Sequence, residues 1–153
     1  MAISVGDTLP EANLFRMGDG GPETVALSDL TKGRKVVIFG LPGAYTGTCS
    51  SAHVPSFMRT KDQFDAKGVS EIICVSVNDP FVMQAWGEAT GASAAGLTFL
   101  GDALSDFTKA IGMAFDVPPV GLVARSKRYA MVVEDNVVKA LNVEESPGVC
   151  ETS

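Results

Sequence analysis

Lys35-Val36-Val37-Ile38-Phe39-Gly40-Leu41-Pro42-Gly43-Ala44-Tyr45-Thr46-Gly47-Thr48-Cys49 is the stretch on which the fold turns. Its opening, Lys35 to Gly40, is an apolar run that reads as a buried strand. Pro42 and Gly43 break that strand into a loop, and Ser50-Ser51-Ala52-His53-Val54 beyond it can be helical. Cys49 therefore stands where a strand gives way, through a loop, to the first turn of a helix. Unpaired backbone N–H groups and the positive end of the helix dipole favour a thiolate there and lower the thiol pKa. Thr46, three residues earlier, can place a hydroxyl beside the sulfur. Pro42 shields the pocket without adding a competing N–H. A thiolate so surrounded is equipped to attack a polar, weakly bonded electrophile.

Outward from this stretch the chain alternates strand and helix patterns. Ile72-Ile73-Cys74-Val75-Ser76-Val77 is a second strand, β-branched and almost continuously apolar, as in a sheet covered on both faces. Before the first strand, Leu9 to Leu30 contains Gly18-Asp19-Gly20-Gly21-Pro22, which suits a hairpin with a polar turn. Phe57 to Ala66 reads as a helix with Phe57, Met58 and Phe64 inward, ended by Gly68. Asn78 reads as the cap of a further helix, with Pro80 in its first turn and Phe81, Val82, Ala85 and Trp86 along it. Thr98 to Leu100 is a short strand and Phe107 to Ile111 a short helix. Asp135-Asn136, two residues that tolerate positive φ, separate Tyr129–Glu134 from Val137–Leu141 and predict a terminal hairpin. The expectation is an α/β fold with a mixed sheet. With no linker, repeat or charge run, residues 1–153 read as a single domain.

Composition narrows the function classes. A net charge of −6 argues against partners recognised through phosphate attraction, nucleic acid or an anionic membrane surface. No apolar stretch approaches the roughly 20 residues needed to span a bilayer. Met1-Ala2-Ile3-Ser4-Val5-Gly6-Asp7 has neither a basic opening nor a long apolar core, so the expected location is cytoplasmic. Three widely spaced cysteines do not form a secreted disulfide framework.

Each candidate residue also has a plainer reading. A lone cysteine is usually a small buried hydrophobe. That reading suits Cys74, inside a strand, but Cys49 at a loop-to-helix junction reads as a nucleophile. His53, the only histidine, lies four residues after Cys49 and so on the same helix face. A Cys–His dyad would need a group to orient the imidazole, and the sequence offers none, so His53 reads as pocket wall. One histidine and three scattered cysteines lack metal-ligand spacing. Arg125 and Lys127 read as solvated side chains.

The segment Pro42-Gly43-Ala44-Tyr45-Thr46 with Cys49 resembles the peroxiredoxin pattern Pro-x-x-x-Thr/Ser-x-x-Cys. His53-Val54-Pro55-Ser56-Phe57, Val75-Ser76-Val77-Asn78-Asp79-Pro80-Phe81, Lys127-Arg128-Tyr129 and Val138 to Glu144 follow in the same order as in the peroxiredoxin-5, or type II, subfamily. Gly47 stands where many relatives carry Pro; the Pro, Thr and Cys stay in register. The resemblance implies a thioredoxin-like fold and a thiol-dependent peroxidase that needs no cofactor and acts on hydrogen peroxide and organic hydroperoxides. It implies that Cys49 is the peroxidatic cysteine, oxidised to a sulfenic acid, and that Thr46 bridges sulfur and peroxide. Arg128 becomes the active-site arginine, with Arg125 as the fallback one short step away. Pro42 covers the pocket, and Gly43 and His53 belong to its wall. Cys150 is the candidate resolving cysteine. The alternative is a one-cysteine cycle in which glutathione or glutaredoxin, rather than a thioredoxin-type partner, reduces Cys49. A homodimer packed through loops beside the site is also implied. The competing function class is a redox sensor or chaperone-like protein whose partner binding is switched by Cys49 oxidation. A thiol–disulfide oxidoreductase is disfavoured because the chain has no Cys-x-x-Cys.

Overall fold

In the computed structural model, which describes residues 2–45 and 54–144, Lys35–Leu41 forms an interior strand of a seven-stranded mixed sheet. In chain order the elements are β1 Asn13–Gly18, β2 Gly21–Ala26, α1 Leu27–Thr31, β3 Lys35–Leu41, α2 Val54–Ala66, β4 Glu71–Ser76, α3 Pro80–Ala89, β5 Thr98–Gly101, α4 Asp106–Ala110, β6 Ala114–Val117, β7 Leu122–Ser126, β8 Tyr129–Glu134 and β9 Val137–Val143. The sheet runs β2-β1-β5-β4-β3-β8-β9, with β6 and β7 as a separate two-stranded ribbon. β3, β4 and β5 are mutually parallel, and β8 closes antiparallel on β3.

The continuous apolarity of β3 has a simple cause: both of its faces are covered. Val36 and Ile38 point into a core with Leu14, Leu27, Phe107 and Ile111. Val37, Phe39 and Leu41 point the other way, into a core with Val54, Phe57, Met83 and Trp86. On that second face Phe39 stacks on Phe57 at 4.2 Å, and Trp86 meets Phe99 edge-on at 5.6 Å. The edge-on pair has a preferred aromatic geometry.

The hairpin expected around Asp135-Asn136 is present, with φ of 47° and 69° at the two turn residues. So is the β1–β2 hairpin around its polar turn. Three readings need correction. Asp79, not Asn78, caps α3: its carboxylate accepts from Val82 N–H at 2.9 Å, and Pro80 takes the first helical position. The short helix α1 and the β6–β7 ribbon were not anticipated. Between the two strands of the ribbon, Pro118-Pro119-Val120 forms a short 3-10 turn that interrupts any strand periodicity. The helical reading of residues 50–53 lies outside the described residues. Among the described residues, no helix is long and apolar enough to cross a membrane.

Candidate active site

The C-terminal ends of β3, β4 and β5 all open on one edge of the sheet, because parallel strands deliver their following loops to the same side. The Pro42–Tyr45 loop leaves β3 on that edge. What fixes its starting point is the pairing of β3 with β8, which runs from Lys35↔Glu134 to Gly40↔Tyr129. Gly40 is required there: a Cβ would fall on the Tyr129 ring, with the phenol oxygen 2.8 Å away. The ring occupies the space the glycine leaves and locks the register. Tyr129 is fully buried, and burial pushes its phenol pKa well above the ordinary range, with smaller contributions from Asp102 and Cys74. The phenol is therefore neutral at any physiological pH, and its oxygen has no hydrogen-bond partner among the described residues.

Register then places Arg128. It precedes Tyr129 on β8, so continuing the pairing by one step sets it against the end of β3, where the Pro42 loop begins. It is only 1% exposed. Desolvating a guanidinium is costly, and proteins keep such a cation only where charge or hydrogen bonding compensates. Its carbonyl accepts from Glu144 N–H at 2.9 Å, which brings a second buried charged residue, Glu144, beside it at the end of β9.

Arg125, read as solvated, is instead half-buried on β7, and its Nη1 donates to the Pro42 carbonyl at 3.2 Å. Pro42 and Gly43 are both buried. On the other side of the loop, Ala44 N–H donates to Asn78 Oδ1 at 2.9 Å. Tyr45, at the end of the described loop, has φ 66° and lays its exposed ring 6.4 Å from that of Trp86.

Of the residues singled out from sequence, the structure brings together Pro42, Gly43, Arg125 and Arg128 at one end of the sheet. Cys74 is fully buried in β4, as a small core residue would be. Thr46, Cys49, His53 and Cys150 lie outside the described residues. Asn78 and Glu144 were not anticipated at this edge. For Asn78 a signal existed: residues just after β4 must face residues just after its parallel neighbour β3. For Glu144 the only signal was its place in the matching segment. Among the described residues, no group of three or more His, Cys, Asp or Glu is placed to hold a metal ion.

Comparison with known proteins identifies the family and the fold. The redoxin family model matches residues 4–153. The chain is 48% identical over 147 residues to a chloroplastic peroxiredoxin-2E-2 of Oryza sativa, covering 94% of this chain and 65% of that protein. It is 53% identical over 124 residues to a mitochondrial peroxiredoxin-2F of Arabidopsis thaliana, covering 81% of this chain and 61% of that one. The chain thus spans less than two thirds of the length of these two relatives. Among solved structures, reduced Prx3 of Vibrio vulnificus in complex with hydrogen peroxide superimposes with a TM-score of 0.91 at 44% identity, over 97% of this chain and 92% of that one. The fold is thioredoxin-like, and the chain belongs to the redoxin family, among its type II peroxiredoxins.

Proposed function

We propose that this protein, acting as one domain over residues 1–153, is a thiol-dependent peroxidase for hydrogen peroxide and small organic hydroperoxides. The observation that carries the reading is the buried Arg128, set by the β3–β8 register against the loop that leads toward Cys49. A permanent cation there favours the thiolate and donates hydrogen bonds to sulfur and peroxide. Cys49 thiolate attacks the nearer peroxide oxygen. A sulfur–oxygen bond forms as the O–O bond breaks, leaving Cys49 as a sulfenic acid. The departing alkoxide or hydroxide takes a proton and leaves as alcohol or water. Thr46 holds the two oxygens in line, Pro42 and Gly43 keep water from the sulfur, and His53 completes the wall. A thiol then attacks the sulfenic sulfur and expels water. That thiol is Cys150, or an external thiol from glutathione, glutaredoxin or a thioredoxin-type protein, and a second thiol reduces the resulting disulfide.

Support for a homodimer comes from exposed apolar side chains on the segments that follow the parallel strands at the same edge. Tyr45, Phe81 and Leu104 are 56%, 60% and 67% exposed, each just beyond one of the three parallel strands. A cytoplasmic location is part of the proposal. The two plant relatives carry chloroplastic and mitochondrial in their names, so cell fractionation decides the point.

The test is stoichiometric. With excess reductant the protein should consume many equivalents of peroxide per chain, and Cys49→Ser, which cannot ionise near neutral pH, should consume none catalytically. One equivalent and no more in wild type would mark a sensor rather than an enzyme.

A further inference from the structure

We infer that Asn78 is a positioning residue for the peroxide reaction: its side-chain oxygen holds the Pro42–Tyr45 loop in the shape the chemistry needs. The inference rests on the peroxidase reading above. Asn78 is not free to wander. Its own N–H donates to Ser76 O at 2.9 Å, and Asp102 N–H donates to the same carbonyl at 2.8 Å. Its backbone lies so close to Gly101 that a Cβ on that glycine would strike the Asn78 carbonyl. The side chain is fixed as well, since Ser76 Oγ, fully buried, donates to Oδ1 at 2.6 Å. The same oxygen accepts Ala44 N–H at 2.9 Å. A backbone N–H can only donate, so the atom facing Ala44 must be the amide oxygen.

This contact links the end of β4 to the loop that follows β3, across 34 residues of sequence. With Arg125 Nη1 on the Pro42 carbonyl, the loop is held from both sides just before Thr46 and Cys49. Two residues beyond Ala44 stands Thr46, whose hydroxyl must meet the peroxide. A displacement of about 1 Å in such a group costs on the order of 100-fold in rate. Asn78 therefore acts through the loop rather than on the reacting atoms, and Asp79, its neighbour, supplies the cap of α3.

Two variants test it. Asn78→Ala removes the acceptor; Asn78→Asp keeps an oxygen that accepts from both Ala44 N–H and Ser76 O–H. In Asn78→Ala, Ala44 amide hydrogen exchange should accelerate about tenfold or more, the scale of one lost hydrogen bond, while amides of the β3 core keep their protection. Oxidation of Cys49 by hydrogen peroxide, followed by Trp86 fluorescence, should slow by about 10- to 100-fold. Alkylation of Cys49 by iodoacetamide, which needs the thiolate but no aligned peroxide, should stay within about threefold of wild type. Asn78→Asp should restore Ala44 protection and most of the oxidation rate. Unchanged Ala44 exchange in Asn78→Ala would overturn the contact. An oxidation rate within twofold of wild type, or an equal fall in oxidation and alkylation, would overturn the positioning role. If wild type itself fails to reduce peroxide, the peroxidase reading and the positioning role fall together, and Ala44 exchange still decides whether Asn78 holds the loop.

Discussion

The two ends of β3 carry arginines under opposite conditions. At the start of the strand, Arg34 pairs with Glu71 at 3.0 Å, with the two side chains 34% and 17% exposed. Asp135 and Asn136 complete that end, accepting from Gly33 N–H and the Thr31 hydroxyl. Water still reaches it, and the groups there tie β3 to its neighbours. At the other end Arg128 is almost entirely desolvated, Arg125 reaches across to a carbonyl, and the phenol beside Arg128 is buried. A partly solvated ion pair contributes little to stability and is easily replaced. A desolvated cation is expensive to retain. The contrast teaches where to look for chemistry: the costly end is the one facing the loop toward Cys49.

Gly40→Ala should produce the largest effect, because it drives a methyl group into the buried Tyr129 ring between β3 and β8. A loss of about 3 kcal/mol or more is expected by denaturant titration. A midpoint close to wild type would mean that Tyr129 does not lock the β3–β8 register. Next, Arg128→Ala should slow peroxide oxidation of Cys49 by about 100-fold, the scale for removing one charge-stabilising group. It should also move the onset of Cys49 reactivity to higher pH. Arg125→Ala should cost only several-fold, since that side chain holds the loop through one carbonyl. A larger effect at Arg125 in stopped-flow measurements would exchange the roles of the two arginines.

Tyr129→Phe tests the buried end through pH. Folding raises the Tyr129 phenol pKa, so the fold favours the protonated form. That contribution is fully present below the ordinary phenol range near 10 and is lost as pH rises above it, where the unfolded chain releases a proton the folded chain keeps. Wild type should therefore lose stability above about pH 10 more steeply than Tyr129→Phe does, in thermal melts across pH 8 to 11. Parallel curves would place the phenol in contact with water. The smallest effect belongs to the partly solvated end: Arg34→Ala, which also loses the Nη1 bond to the Leu30 carbonyl at 3.0 Å, should cost about 1–2 kcal/mol and leave peroxide turnover unchanged.

Much of this was legible beforehand because it is local. The apolar runs of β3 and β4, the Asp135-Asn136 turn and the Lys127-Arg128-Tyr129 segment each carry their signal within a few residues. The β6–β7 ribbon did not, since Pro118-Pro119 interrupts the alternation that marks a strand. Asn78 and Asp79 are both good helix caps, and local propensity cannot choose between them. In the fold Asp79 takes the cap while Asn78 accepts from Ala44, a partner distant in sequence.

The mixed sheet, the loop after its first parallel strand and the motif spacing around that loop can all be read from the amino-acid order. All of these follow from periodicity, turn chemistry and motif spacing. Which arginine is buried, which asparagine accepts from the loop and why residue 40 is glycine emerge when the strands pair. Those depend on strand register and on desolvation, which arise between segments far apart in the chain and have no value until the segments meet.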